Sequence, residues 1–227
     1  MFSVLFEVQP NPDKWDAYLN YAKILRPELE AIDGFVDNVR YSSLTRKGWI
    51  LSLSNWRDEK SLVRWRTKAR HHEVQERGRE EVLSDYRLRV GQTTNDTQVP
   101  DGYALKEQRL DETEVGEAKT VSLINIKRPG SSDETDFSDD WASALGLPPF
   151  TNSLFWDVFE AVLTPGELIV MVNWRDSAAA EALEKVLTMP LDARVRRIRI
   201  VRDYAMYDRR EAPQYFPDAP SRPTTHS

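Results

Sequence analysis

The sequence predicts an α+β fold in which two homologous halves of the chain build one barrel of strands. The 227-residue chain carries the tetrapeptide Asn-Trp-Arg-Asp twice, at 55–58 and at 173–176, so the two copies lie 118 residues apart. The same offset aligns the apolar segment 49–53 with 167–171, and a glycine precedes each segment. Strand-like and helix-like segments alternate in both halves, which indicates a duplicated unit.

The first half is predicted to run strand, helix, strand, strand, helix, strand. Alternating or continuous apolar segments indicate the strands, and apolar residues at three-to-four spacing indicate the helices. The first helix follows Pro12 and ends before Gly34, and the second is capped by Asp58 and reaches about Asp85. The predicted strands are 2–9, 35–44, 49–56 and 86–93.

The second half repeats this order of elements. Its predicted strands are 119–127, 153–163, 167–174 and 194–207, and its predicted helices are 136–145 and 177–187. The predicted domain organisation is repeat 1 at 1–94, an acidic linker at 95–117, a degenerate repeat 2 at 118–207 and a Pro-rich C-terminal tail at 208–227.

Each predicted repeat is a four-stranded antiparallel sheet with two helices on one face. The other face is open, so one repeat has an incomplete core. Two repeats bury these faces together and close a barrel. We therefore expect a monomeric pseudo-dimer within one chain, or a homodimer of such chains.

Composition excludes several classes of protein. The net charge of −6 argues against a nucleic-acid partner. The absence of cysteine excludes disulfides and thiolate metal sites, and no glycine-rich nucleotide motif is present. With three histidines, one of them in the tail, we expect no multi-histidine metal site. No apolar stretch is long enough for a membrane span and no signal peptide is recognised, so we expect no membrane partner and a cytoplasmic protein.

The sequence resembles the antibiotic biosynthesis monooxygenase (ABM) family, which has the dimeric α+β barrel fold. The residues that carry the resemblance are Gly34-Phe35, Asn55-Trp56-Arg57-Asp58, Trp65-Arg66, His72, Gln75, Gly78-Arg79 and Tyr86-Arg87-Leu88-Arg89-Val90. The resemblance implies two ferredoxin-like ABM repeats forming an intrachain dimeric α+β barrel. It also implies either cofactor-free oxidation of aromatic polyketides or haem degradation.

Candidate catalytic residues lie on the second predicted helix and on the strand before it. At 100° per residue, Trp65 and His72 share one face of the helix, whereas His71 points nearly opposite. We predict His72 as the base, Trp65 as a pocket wall and Asn55 as an oxyanion donor. The alternative is that Trp65 belongs to the core, His72 lies at its edge and Asn55 bonds local backbone.

Further candidates for binding the substrate are Tyr41, Asn38, Trp56 and Asn125. A core or rim position is the alternative for Tyr41. Asn125 lies on the first strand of the second half, where haem-degrading relatives carry an asparagine. Those relatives also carry a helix histidine ten residues after a tryptophan, a position that Gln75 occupies here. The arginines at 194–202 are interpreted as a solvated strand paired with the acidic linker.

These observations predict a cofactor-independent monooxygenase that acts on a small aromatic or polyketide-like substrate with O2. No cofactor and no metal are expected. Haem binding and degradation is the alternative activity. A non-catalytic ligand-binding or interaction barrel is the second alternative.

Overall fold

The computed structural model describes residues 1–68, 74, 76–106, 109–129, 141–188, 190 and 192–212. The strands are Phe2–Pro10 (β1), Phe35–Ser43 (β2), Ile50–Trp56 (β3), Leu83–Asp96 (β4), Thr120–Lys127 (β5), Phe155–Ala161 (β6), Glu167–Trp174 (β7) and Arg194–Ala205 (β8). The helices are Trp15–Glu30 (α1), Glu59–Arg66 (α2), Trp141–Ala144 (α3) and Ser177–Val186 (α4). None of the helices in the described part of the chain is long and apolar enough to cross a membrane.

The eight strands form one closed barrel in the order β1-β3-β2-β6-β7-β5-β8-β4. Neighbouring strands are antiparallel throughout. Each repeat contributes four adjacent strands, and the two repeats meet at the β2–β6 and β4–β8 seams. The predicted order of elements and the closure of one barrel by two repeats are therefore confirmed.

The two hairpin turns show the duplication at the level of the backbone. Gly48 lies before β3 with φ of +81°, and Gly166 lies before β7 with φ of +89°. Both values fall in the left-handed region, which side chains with a Cβ rarely adopt. The two glycines that flank the aligned segments in the sequence thus make the same turn in both repeats.

The second helix of repeat 1 differs from the prediction. A helix up to about Asp85 was expected; α2 ends at Arg66, and residues 74, 76 and 77 are again α-helical. A π-helical turn spans Gly78–Val82, and β4 already begins at Leu83. Residues 69–73 and 75, which include His71 and His72, lie outside the described residues. Helical periodicity alone does not register such a change from α to π geometry.

Side chains at alternate strand positions point to opposite faces of the sheet, so the barrel has an inner layer and an outer layer. The barrel interior contains apolar residues from both repeats, among them Leu5, Leu51, Leu123, Phe159 and Met171. The outer face of each half-barrel packs against the helices of its own repeat. The fold therefore offers three places for a site: the shared interior and the two layers between helices and sheet.

Candidate functional site

A cavity of about 210 Å³ lies between the helices of repeat 1 and the outer face of its sheet. Helices α1 and α2 cover it, strands β1 to β4 form its floor, and the end of β8 with the residues after it closes one side. Its apolar lining includes Val4, Phe6, Ala22, Leu25, Leu29, Leu62, Trp65, Leu88 and Val90. A concave and mostly apolar lining of this kind is typical of small-molecule sites.

Trp65 covers the cavity because of the way α2 begins. The Asp58 carboxylate accepts a hydrogen bond from the backbone N–H of Ser61 at 2.8 Å and so caps the first turn. Leu62 and Trp65 then lie on one face of the helix, three residues apart, and both line the cavity. Trp65 is 9% exposed and packs in the core between helix and sheet.

Four arginines also line the cavity, while none of its described lining residues is acidic. Arg40 lies on β2, Arg66 ends α2, Arg79 lies in the π-helical turn and Arg209 follows β8. Burial lowers the pKa of Arg66 and of Arg79, but a guanidinium group stays protonated in proteins. The cavity is therefore locally positive, although the whole chain carries a net charge of −6.

Tyrosine hydroxyls add neutral donors to this lining. Burial raises the pKa of Tyr18 and of Tyr86, and it raises the pKa of Tyr204 to about 12. A phenol with a raised pKa stays protonated near neutral pH and donates a hydrogen bond. These three tyrosines are therefore donors rather than general bases.

Three of the residues predicted from the sequence lie in the layer that holds this cavity. Trp65 and Asn38 line it, and the Asn38 amide donates to the Ser52 hydroxyl at 3.1 Å. Trp56 is completely buried and packs edge-on against Phe35 with ring centroids 5.5 Å apart. Trp56 is therefore a core residue that is not among the cavity lining. His72, the predicted base, lies outside the described residues.

The other three predicted residues lie on the opposite face of the sheet. Asn55, Tyr41 and Asn125 face the barrel interior, where the Asn125 amide lies 3.4 Å from the Tyr41 hydroxyl. Asn55 accepts a hydrogen bond from the Ser3 hydroxyl at 2.8 Å and donates to Asp37 at 2.6 Å. The expectation that Asn55 and Trp65 share one pocket is corrected, because alternation on β3 turns Asn55 away from the helices.

Buried polar side chains in the barrel interior form two related sets, which the sequence interpretation missed. Arg89 forms a salt bridge with Glu7 at 2.6 Å and also donates to Asn173. In the related set, Arg196 donates to Asn55 at 3.2 Å and to Asn125 at 2.8 Å. The repeat offset relates Asn55 to Asn173 and Glu7 to Asn125. The offset could have revealed these sets from the sequence, because it aligns polar residues of repeat 1 with polar residues of repeat 2 on strands that are otherwise apolar.

The expectation of a solvated arginine strand paired with the acidic linker holds in part: Arg194 forms a salt bridge with Asp96 of the predicted linker at 2.7 Å, but the strand is not solvated throughout. Arg196 is 2% exposed, and burial lowers its pKa to about 10. Arg197 forms ion pairs with Glu181 and Glu184 of α4, not with the linker. Alternation along a strand carries no information on which face closes against the other repeat.

In the part of the chain that the structure describes, the corresponding layer of repeat 2 is packed with apolar side chains. Leu183 stands at the position that Trp65 occupies in repeat 1, and it packs in a buried cluster. Other members of that cluster are Ala142, Leu145, Leu147, Phe150, Trp174 and Ala180. The aromatic ring of Trp156 packs against it and contacts Phe150 at 5.3 Å between ring centroids.

The described residues of the site offer few groups that could ligate a metal ion or haem iron. Among the described residues, no group of three or more His, Cys, Asp or Glu side chains is placed to hold a metal ion. The described lining of the cavity contains no His, Cys or Met that could ligate haem iron. Three of the four tyrosines in the described lining, Tyr18, Tyr86 and Tyr204, have raised pKa values, which disfavours a phenolate ligand, and the fourth is Tyr21. Apart from Tyr21, the described lining therefore contains no side chain suited to ligate haem iron.

Comparison with known proteins gives the following matches. A family model described as antibiotic biosynthesis monooxygenase matches residues 1–77. A curated relative from Pyricularia oryzae, named jasmonate monooxygenase ABM, is 47% identical over 226 residues, which cover 96% of this chain and 100% of the relative. The crystal structure of a conserved protein from Methanosarcina mazei Go1 is 23% identical, covers 39% of this chain and 88% of its own, and has a TM-score of 0.37. An anthrone oxidase-like protein is 13% identical over 94% of this chain and 96% of its own, with a TM-score of 0.33.

Both TM-scores are low, so the assignment rests on the Pyricularia relative, whose identity extends over its full length, and on the family match to repeat 1. The chain therefore belongs to the antibiotic biosynthesis monooxygenase family.

Proposed function

We propose that the cavity of repeat 1 is the active site of a monooxygenase that takes a small apolar carboxylate of the jasmonate class. The family match and the name of the Pyricularia relative support a monooxygenase. The observation that carries the substrate class is the lining of the cavity, which is apolar, contains four arginines and has no acidic residue among those described. A carboxylate on a hydrocarbon skeleton is complementary to both features.

The reaction is proposed to use O2 without flavin, haem or metal. When one oxygen atom enters the substrate and the other leaves as water, O2 accepts four electrons. A substrate that supplies all four converts a methylene group to a carbonyl group. A product that has gained only a hydroxyl group requires two further electrons from an external reductant. A carbonyl product formed without added reductant therefore indicates a cofactor-independent reaction, whereas a hydroxyl product indicates an external reductant.

The proposed chemistry begins with loss of a proton from a substrate carbon next to a carbonyl group. The base must have a pKa close to neutral, which fits a histidine. The arginines and the three tyrosines with raised pKa do not fit that role. His72 remains our proposed base, and Trp65 is proposed to shield the reacting carbon from water.

The test measures oxygen uptake and product mass with jasmonate and no added cofactor. We expect uptake by the wild-type protein, conversion of a methylene to a carbonyl, and loss of uptake in His72→Ala. His71→Ala is the matched control, because helical periodicity puts His71 on the opposite face, and it should retain uptake. Unchanged turnover in His72→Ala would contradict the role of the base.

Other results separate the competing functions. Oxidation of an aromatic polyketide but not of jasmonate would move the substrate to the class that the family resemblance implied. A hydroxylated product that appears only with a reductant would overturn cofactor independence. A Soret shift on titration with hemin would favour the haem alternative, and no turnover of any of these compounds would favour a non-catalytic barrel.

A further inference from the structure

We propose that Arg40 and Ser52 bind the carboxylate of the ligand in the cavity of repeat 1. Arg40 lies on β2 and Ser52 on β3, directly opposite each other in the register of the two strands. Both side chains line the cavity. The inference rests on the proposed function in one respect, namely that the ligand is a small apolar acid.

Arg40 is half-buried, and its Nε has unused hydrogen-bonding capacity. Its Nε is buried and has no hydrogen-bond partner in the described part of the chain. Its guanidinium group forms a hydrogen bond with the Tyr18 phenol, which is neutral near neutral pH. Within the described residues Arg40 forms no ion pair with a carboxylate. A buried N–H without a partner is costly, and a ligand oxygen in the cavity would satisfy it.

Ser52 supplies a second donor next to Arg40. Its Oγ accepts a hydrogen bond from the Asn38 amide at 3.1 Å, and Asn38 also donates to the Leu53 carbonyl oxygen at 3.1 Å. The Ser52 hydroxyl donates to no residue that the structure describes. Side chains opposite each other on antiparallel strands are close enough to act together. A guanidinium N–H and a hydroxyl can therefore each bind one carboxylate oxygen.

Each of the other three arginines of the cavity has a neighbour of opposite charge or a phenol partner, as Arg40 has in Tyr18. Glu59 interacts electrostatically with Arg66, and Glu76 and Glu80 interact with Arg79. Arg209 forms a hydrogen bond with Tyr86. Arg40 differs from these three in its position, since it lies on the sheet floor of the cavity directly opposite Ser52 of β3. This difference selects Arg40 as the anion site.

The second repeat shows that this fold does not require polar residues at these positions. The offset of 118 places Trp156 at the position of Asn38 and Val158 at the position of Arg40. It places Val170 and Val172 at the positions of Ser52 and Ser54. All three valines are fully buried in the apolar cluster that fills this layer in repeat 2. The polar strip on the floor of repeat 1 is therefore better explained by a ligand than by packing.

The test compares acids with their neutral esters by isothermal titration calorimetry. The probes are jasmonate and octanoate, each measured against its methyl ester. We expect the wild-type protein to prefer both acids. Arg40→Gln should weaken binding of the acids by about tenfold or more and change binding of the esters by less than about twofold. The affinity of Arg40→Lys for the acids should lie between those of the wild type and Arg40→Gln. Ser52→Ala should lose a smaller part of the preference for acids than Arg40→Gln.

The matched control is Arg26→Gln, which removes an arginine that pairs with Glu30 on the exposed side of α1 at 2.6 Å. It should keep the wild-type ratio of acid to ester affinity. Circular dichroism checks that each variant is folded. An unchanged ratio in folded Arg40→Gln and Ser52→Ala overturns the inference, as does loss of the preference in Arg66→Gln alone.

The inference and the proposed function fail in different ways. If the wild-type protein oxidises jasmonate and Arg40→Gln keeps the acid preference, the inference is wrong and the proposed function stands. If binding of acids depends on Arg40 but no oxidation occurs, the inference stands and the proposed function is wrong. Binding of neither acids nor esters by the wild-type protein overturns both.

Discussion

At the scale of single residues, the barrel interior depends on compensation of buried charge. Glu7 is 4% exposed and forms salt bridges at 2.6 Å with both Arg89 and Arg46. Burial opposes ionisation of Glu7, but the two arginines outweigh it and hold the pKa of Glu7 below its ordinary value. Removing one member of such a buried set leaves the others uncompensated, which costs more than the set contributes when complete.

We expect Glu7→Gln to lower the free energy of unfolding by about 3–5 kcal/mol at pH 7. Because the pKa of Glu7 is lower in the folded protein, ionised Glu7 stabilises the fold at pH values above the ordinary glutamate pKa of about 4.3. This stabilisation is lost as the pH falls through the lowered pKa of Glu7. The difference between wild type and variant should therefore shrink below about pH 4. Urea denaturation followed by circular dichroism at both pH values measures it.

Glu30→Gln is the control for this prediction, because Glu30 belongs to an exposed pair with Arg26. It should change the free energy of unfolding by less than about 1 kcal/mol. An equal effect of the two substitutions, or a Glu7→Gln effect that is constant with pH, would contradict the electrostatic explanation.

The sequence could predict which residues of a strand share a face, but not what each face meets. Alternation placed Asn55 opposite Ser54 and Trp56 on β3, and the structure agrees. Alternation could not predict that the face of β3 carrying Asn55 packs against repeat 2. This contact depends on strands more than 100 residues away in the sequence, such as the strand that carries Arg196. Trp65 was placed between helix and sheet because helical periodicity is a local property.

At the scale of elements, the start of α2 determines where Trp65 lies above the cavity. Asp58 caps α2 through Ser61, and its counterpart Asp176 caps α4 through the backbone N–H of Ala179 at 3.0 Å. The Asp58 cap was predicted, and the repeated tetrapeptide places Asp176 at the equivalent position. The π-helical turn before β4 was not predicted, because its residues have the composition of an ordinary helix.

We expect Asp58→Ala to lower the free energy of unfolding by about 1 kcal/mol and to weaken ligand binding in the cavity of repeat 1. The reason is that the first turn of α2 loses its cap while Leu62 and Trp65 line the cavity. Thermal unfolding and calorimetric titration with jasmonate measure the two effects.

Asp176→Ala provides the matched variant, since it removes the same type of cap from α4, which covers the filled layer of repeat 2. We expect a similar loss of stability with no change in ligand affinity. Equal weakening of binding by both variants would mean that the effect is global rather than local to α2.

At the scale of the whole molecule, the two seams of the barrel are unequal. The register joins nine residue pairs between β4 and β8, but only Tyr41, Ser42 and Ser43 of β2 pair with β6. Arg46 compensates at the shorter seam, since it bridges Glu7 of repeat 1 and Asp157 of repeat 2 at 2.6 Å each. The closure of the barrel was predictable from the duplication. The two salt bridges of Arg46 were not, because Arg46 lies in a turn, where no periodic pattern indicates which way a side chain points.

We expect Arg46→Gln to open the β2–β6 seam locally. Hydrogen–deuterium exchange should speed up at the amides of Ser43 and Leu44, which bond Trp49 and Val158 across the turn and the seam. Exchange in β4 and β8 should stay slow. Arg194→Gln, which removes a salt bridge to Asp96 at the other seam, should leave exchange in β2 and β6 unchanged. Equally faster exchange in all strands would contradict a local effect of the Arg46 salt bridges.

Joining the two repeats in one chain removes a constraint that a dimer of identical subunits cannot escape. In such a dimer every substitution appears twice, so a change that improves packing in one layer also fills the binding site in the other. Here the valines and Trp156 of repeat 2 replace the polar floor of repeat 1 without altering it. One half is thus free to specialise in folding stability while the other specialises in recognition, and each barrel should bind a single ligand.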